Sequence, residues 1–411
     1  MVHKSFLTFG VLATAALATA NVEILIEGHT LGPIDGQGTW QGPGTVSPIH
    51  SPRLGSTQSV RYSFSGGSMR STAFFRLGPR PEKLKKNGIY FWNLDFMGTG
   101  HQSLVDGDFY WLRQQLPGGT LLLQMAVAAG IGVLSRGNPF IGYFPLSARF
   151  NPDGQALSIS AWQPRLKDNQ WYTITRVLDI KGKRSQGISI KEVASSSPAH
   201  LIHVSDDFGP IYDPIHGSYG QCDEIDRIRF GHDYYPNLSD YFYDNIQFLK
   251  AKRITGTLIF DPPGAPTTFL GDTSLVGLTL VAYPIGGGPP TQVPFNPVNK
   301  KFATGLLPGS YDAYIVGDGF LSKRLGRLEF TDTNADLDVG TLELRVGDID
   351  GDDQIGTDDY LILNQTLDLD PSDPNFDGRA DLDRDGFVTS DDYLLFSFNF
   401  DRTGDMREDG R

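Results

Sequence analysis

Two short stretches near the C-terminus constrain this chain more than any other feature. Residues 348–359 read DIDGDDQIGTDD and residues 381–392 read DLDRDGFVTSDD. Each is twelve residues long and carries Asp at positions 1, 3, 5, 11 and 12. Two like charges ~4 Å apart repel by roughly 1 kcal/mol in water and about 4 kcal/mol at a protein-like dielectric. The first stretch holds six acidic side chains, and the second holds five against Arg384. A segment of this size has little core with which to offset several such pairs. Each stretch therefore needs a cation if it is to close into a loop.

The spacing says which cation. Positions 1, 3 and 5 offer carboxylates: Asp348, Asp350 and Asp352, then Asp381, Asp383 and Asp385. Position 7 offers a backbone carbonyl, from Gln354 and Phe387, and position 12 offers a carboxylate able to bind through both oxygens, Asp359 and Asp392. Hard oxygen ligands at this spacing form a calcium loop of the EF-hand type, and two loops imply two Ca²⁺ ions. Position 8 is apolar in both, Ile355 and Val388, and a short β-bridge between the two loops is expected there. Residues 346–405 are expected to be largely unfolded without calcium and to fold when it binds.

The acidity is local. Of a net charge of −13, residues 348–411 contribute −14, from 19 acidic groups and 5 arginines. The remainder is close to neutral and shows no basic patch, so nucleic acid is not an expected partner. The N-terminus reads as an export signal: Lys4, an apolar run over residues 6–18, and Ala18-Thr19-Ala20 as a small-residue cleavage site. A secreted, extracellular protein is expected, with residues 1–20 removed. No transmembrane segment and no membrane anchor are expected. Cys222 is the single cysteine, so no internal disulfide can form; stability must come from core burial and metal.

Residues 21–250 are rich in short strand patterns bounded by Gly, Asn, Asp or Pro, such as residues 59–64, 89–96, 172–178 and 225–230. Helical periodicity is nearly absent, so a mainly β, jelly-roll sandwich is expected. Residues 120–134 are apolar throughout and fit a helix or two strands about equally. Residues 254–346 form a second β-rich unit, with strand patterns at 254–260, 276–284, 302–317 and 338–347. This unit resembles the small β-sandwiches of the Cna-B and carboxypeptidase-regulatory-like families, an Ig-like or prealbumin-like architecture that serves as a spacer. Residues 406–411 form a tail.

Each aspartate loop is followed by an amphipathic stretch, residues 359–367 and 392–400, and neither is preceded by a helix; Pro371 and Pro374 oppose one before the second. The segment 347–405, with GDIDGDD and ADLDRDG at its loop starts, resembles a type I dockerin, and its repeat spacing is 33 residues. The resemblance implies a cohesin-like or cell-surface partner. Two departures stand out. Position 6 of the first loop is Asp353 where glycine is preferred, so that loop is expected to be the weaker site. Positions 10 and 11 are Thr357-Asp358 and Ser390-Asp391, with an acid in the second place.

Residues 22–40 and 223–248 resemble the first and closing strands of concanavalin-A-like jelly rolls of exported bacterial proteins. The resemblance implies polysaccharide recognition, and it makes Asp244 with Glu27 a candidate structural calcium pair. The motif at Glu224–Arg229 is similar to the paired-glutamate motif of laminarinase-type enzymes, but Arg229 stands at the second glutamate and cannot act as a general acid. No catalytic residue is assigned. His200 and His203 lack identifiable zinc partners. All five tryptophans fall in this region; Trp162 and Trp171 flank a polar loop and are the candidates for stacking on a sugar. The expectation is a secreted, calcium-binding carbohydrate-binding or adhesion protein. An extracellular polysaccharide-degrading enzyme and a structural surface component are the alternatives.

Overall fold

One strand ties the molecule together. Ser239–Ile259 is 21 residues long and runs roughly 70 Å at the usual rise per residue. The computed structural model describes residues 22–24, 31–33, 40–41, 45–64, 71–76, 84–85, 89–98, 111–115, 121–125, 132–133, 142–143, 169–179, 184–196, 199–207, 211–213, 218–220, 224–225, 227–232, 239–260, 276–331, 336–369 and 371–405. Within them the chain is mainly β, in largely antiparallel sheets consistent with a β-sandwich.

The first half of the long strand pairs with Ser59–Phe64 and with Ile89–Gly98. It also pairs with the first strand, Val22–Ile24, in the register Val22 to Phe248. From Ile89–Gly98 the sheet continues through Tyr172–Asp179 and Arg184–Glu192 to His200–Asp207. Trp92, Leu94, Phe96, Ile246 and Phe248 turn inward and are buried. The facing of the long strand switches at a bulge between Asp244 and Gln247, where Asn245 has φ +48°. The extra residue moves even-numbered side chains from the outer to the inner face.

The second half pairs antiparallel with Lys301–Leu306 and parallel with Leu337–Glu343. A five-stranded sheet faces it, in the order Thr291–Phe295, Leu278–Pro284, Gly309–Gly317, Gly319–Phe330, Val346–Asp348. Gly319–Phe330 is its longest strand, yet the sequence reading passed it over because charged residues crowd its outer face. The expected boundary between residues 250 and 254 falls inside the long strand. Of residues 120–134, Leu121–Met125 and Gly132–Val133 are strands, and the rest lies outside the described residues.

A continuous apolar core crosses the expected boundaries. It begins at Ile89, Phe91 and Val177, passes through Ile254, Leu258, Phe260, Phe295 and Phe320, and ends at Ile355, Leu363, Val388, Leu395 and Phe396. Leu258 is fully buried in the middle of it. Leu258→Ala should therefore cost about 2–5 kcal/mol. In calcium, scanning calorimetry should show the transition of the middle sandwich and that of the C-terminal unit falling together. A variant in which the C-terminal unit melts unchanged would contradict a shared core.

Candidate metal centres

The two aspartate loops fold alike. In each, one carboxylate oxygen from positions 1, 3 and 12 lies within 4.8 Å of the other two: Asp348, Asp350 and Asp359, then Asp381, Asp383 and Asp392. Backbone amides hold them there. Asp359 Oδ1 accepts the N–H of Ile349 at 2.6 Å and of Asp350 at 3.0 Å, while its Oδ2 accepts that of Gly356 at 2.8 Å. Asp392 repeats this with Leu382 at 2.6 Å, Asp383 at 3.1 Å and Thr389 at 2.7 Å. Asp348 accepts Gly351 and Asp353, and Asp381 accepts Asp385 and Gly386.

Position 12 has a second task. The helices Thr357–Thr366 and Ser390–Asn399 start at loop position 10, and Asp359 and Asp392 are their third residues. Asp392 closes a capping box with Thr389. Asp359 makes its half alone by accepting the N–H of Gly356, which has no side chain to return, and each carboxylate sits where the helix dipole favours an anion. The same carboxylate thus joins loop and helix. The position-5 residues stand outside the triads; Asp352 and Asp385 each accept the N–H two residues on, from Gln354 and Phe387, at 2.8 Å.

The donor set suits Ca²⁺, being hard oxygens throughout. One atom adds a direct sign. Asp383 is 1% exposed, and its Oδ2 accepts no hydrogen bond among the described residues. A buried carboxylate oxygen with no donor is costly and calls for a cation. The residues present therefore fit the ion the spacing implied.

The expected bridge between the two loops is corrected by the structure. Ile355 and Val388 are fully buried, but they do not pair with each other. Asp401 N donates to Ile355 O at 2.9 Å, and Asp368 N donates to Val388 O at 2.7 Å. Each loop is clasped by the chain leaving the other helix, and both contacts repeat at 33 residues. The first clasp extends into a two-residue ladder, Gln354–Ile355 with Arg402–Thr403. In both loops positions 4 and 6 are left-handed: Gly351 at +84° and Asp353 at +67°, then Arg384 at +63° and Gly386 at +100°. Of that pair, the first loop has glycine at position 4 and the second at position 6.

Asp244 lies elsewhere, across from Asp95 on the outer face of the N-terminal sheet. Both are buried. Asp244 Oδ2 accepts Ser51 N and Ser56 Oγ, each at 2.7 Å, and its Oδ1 accepts Asn245 N at 2.7 Å. Asp95 accepts Ser51 Oγ, Arg53 Nε, Asn245 Nδ2 and Thr173 Oγ1 at 2.7–3.0 Å. Here the carboxylates fasten the 48–58 segment to the sheet through protein donors. Glu27 lies outside the described residues, as do Trp162 and the side chains of Glu224, Arg229, His200 and His203. Trp171 is 7% exposed and packs edge-on to Phe242, 6.4 Å between centroids. It is a core residue, which removes it as an exposed sugar platform.

The same outer face carries a row that sequence reading missed. Ser189, Thr175, Asn93 and Gln247 are direct neighbours across four adjacent strands. All four are half-buried, and Asn93 Oδ1 accepts no hydrogen bond among the described residues. Only cross-strand register, which is non-local, brings them together.

No family model and no curated protein matches this chain. Among solved structures, a chain of a type II cohesin–X-dockerin complex from Acetivibrio cellulolyticus aligns at 18% identity over 37% of this chain and 97% of that one, with a TM-score of 0.29. A family 131 β-glucanase catalytic domain from Podospora anserina aligns at 13% identity over 50% and 78%, with a TM-score of 0.26. Lectin I from Ulex europaeus aligns at 13% over 56% and 98%, with a TM-score of 0.27. At such scores the likenesses carry no weight for this chain's fold or function. Among the described residues no helix is long and apolar enough to cross a membrane.

The electrostatics give a pH test. Burial pushes the Asp348 carboxyl up to about 7, with Asp359 and Asp353 adding like charge. Burial pushes Asp383 up to about 7 as well, with Asp392 and its neighbours adding to it. Burial also raises Asp350, Asp381 and Asp392. Without metal, the folded state keeps protons that an unfolded Asp releases near pH ~4. The stability these groups contribute is full below that point and is lost as pH rises through about 7. In chelator, the melting temperature of the full chain should fall between pH 5 and pH 8. In millimolar calcium that order should reverse, because the ion binds the ionised carboxylates. A chelated protein whose melting temperature ignores pH across this window would contradict the arrangement.

Proposed function

We propose that this chain is a secreted calcium-binding modular protein whose C-terminal, dockerin-like unit docks it to a protein partner. The outer face of its N-terminal sheet would hold a saccharide. One observation supports docking above the others. Each helix presents the same exposed set over its first five residues: Thr357, Asp358, Tyr360 and Leu361, then Ser390, Asp391, Tyr393 and Leu394. The four large side chains are 38–50% exposed, while Leu363, Leu395 and Phe396 on the opposite face are buried. Large apolar side chains repeated on a surface suit a protein interface. Because Asp359 and Asp392 start these helices, the docking faces depend on the ions. A cohesin-type partner fits this pattern.

The saccharide role is supported by the row Ser189, Thr175, Asn93 and Gln247. Hydroxyls and amides at ~4.8 Å intervals span roughly 14 Å, the reach of a short oligosaccharide. The row lies between the charged Asp95–Asp244 pair and the apolar Phe91–Val177 rows.

Two measurements test the two halves. On a glycan array the full chain should bind a defined set of polysaccharides. The double variant Asn93→Ala, Thr175→Ala should lose at least about tenfold in affinity, the scale of one or two lost hydrogen bonds, with an unchanged melting temperature. Release of reducing sugar would mark an enzyme instead, and silence on every glycan would contradict the binding role. Capture of cohesin-type probes should need calcium and should vanish when Tyr360, Leu361, Tyr393 and Leu394 are all replaced by Ser. Capture that survives both chelator and replacement would sink the docking role.

A further inference from the structure

Asp353 stands where the first loop departs from glycine, and its side chain has a specific partner. The carboxylate reaches out of the loop to the strand Gly319–Phe330. Its Oδ1 accepts Ser322 N at 2.6 Å, and its Oδ2 accepts Ser322 Oγ at 2.6 Å. Ser322 is 6% exposed. The chain leaving the second helix covers this contact. Gly404 N donates to Asp353 O at 2.8 Å, and Asp405 N donates to Ser322 O at 3.0 Å. The Asp405 carboxylate accepts Arg324 N at 3.0 Å and pairs with Lys323 Nζ at 3.1 Å. A Cβ on Gly404 would fall 1.9 Å from Asp353 Oδ1, so only glycine leaves room for the carboxylate.

The link continues inward. Asp353 N donates to Asp348 Oδ2 at 3.1 Å, and Asp348 is the first-position member of the triad. A chain of direct contacts therefore runs from the sandwich strand through Ser322 and Asp353 to a metal-facing carboxylate. The second loop has Gly386 at the equivalent position and no side chain with which to make such a contact.

We infer that the strand Gly319–Phe330 belongs to the first calcium site, with Ser322 as a positioning residue. Ser322 holds Asp353 in its left-handed conformation, Asp353 aims its N–H at Asp348, and the loop stays closed around the ion. The two charge-assisted bonds offset the strain of a non-glycine residue at that φ. The departure from glycine, which on sequence alone marks the first loop as the weaker site, thus becomes the means by which the sandwich supports it. This inference rests on the calcium reading of the loops, and the second loop provides an internal control.

The test is a calcium titration of the full chain followed by amide NMR. Gly351 and Asp353 report the first loop, and Gly386 reports the second. Ser322→Ala should move the first loop's midpoint to about tenfold higher calcium, the scale of a lost charge-assisted bond, and should leave the second loop's midpoint in place. Ser322→Thr keeps the hydroxyl and should restore the first midpoint. Gly404→Ala displaces the Asp353 carboxylate without altering Ser322 and should reproduce the selective loss, even if Ser322→Ala fails to fold. Unchanged first-loop midpoints, or equal weakening of both loops, would overturn the inference. Wild-type protein in which neither loop responds to calcium would overturn the calcium reading itself, and this inference with it.

Discussion

Three carboxylate oxygens within 4.8 Å of one another, twice over, set the terms for the C-terminal part of this molecule. Backbone amides accommodate part of that charge, and each position-12 carboxylate takes three of them. They do not neutralise it, because an amide is a dipole and the remaining like charges still repel by roughly 1–4 kcal/mol per close pair. A divalent ion changes the sign of that sum. With such an ion in place, the carboxylates would fix the loops and the position-12 residues the helix starts, and the helices carry Leu363, Leu395 and Phe396 into the common core. The influence of an ion there would thus extend well beyond its ligands.

The two loops are near copies in their ligands and differ in their surroundings. The reciprocal clasps, Asp401 to Ile355 and Asp368 to Val388, hold the two loops in a fixed relation. The second loop has Gly386 at position 6 and meets the sandwich at its exposed Arg384, which donates to Asp318 O at 3.2 Å. The first is fastened to the middle sandwich through Asp353 and Ser322, while Asn399 Nδ2 donates to Val346 O at 2.9 Å from the second helix. The sandwich is therefore more than a spacer. It supplies the apolar surface under the helices and one wall of the first loop. At its other end the long strand Ser239–Ile259 carries that rigidity into the N-terminal sheet.

What the sequence made legible was local. Carboxylates at fixed spacing, the apolar eighth position, a helix closing each loop and several of the strands follow from patterns a few residues long. The first strand lies beside the long one, Val22 opposite Phe248, while Glu27, expected to partner Asp244, lies outside the described residues. What escaped depends on contacts between distant residues. The loop bridge was expected between Ile355 and Val388, yet each meets chain from beyond the opposite helix. The strand Gly319–Phe330 was hidden by its charged outer face. Trp171, beside a polar loop in sequence, is buried against Phe242. The polar row on the outer sheet arises from cross-strand register, and no sequence period reveals it. One local sign did point to a long-range contact: Asp353, an acid in a glycine's place.

The most direct measurement of the central claim is equilibrium dialysis of the full chain against radioactive calcium, with and without Asp383→Ala. The account predicts two ions bound per wild-type chain, and one retained when the carboxylate with the unpartnered oxygen is removed. Wild-type protein that retains no calcium, or a variant that binds as many ions as the wild type, would contradict it.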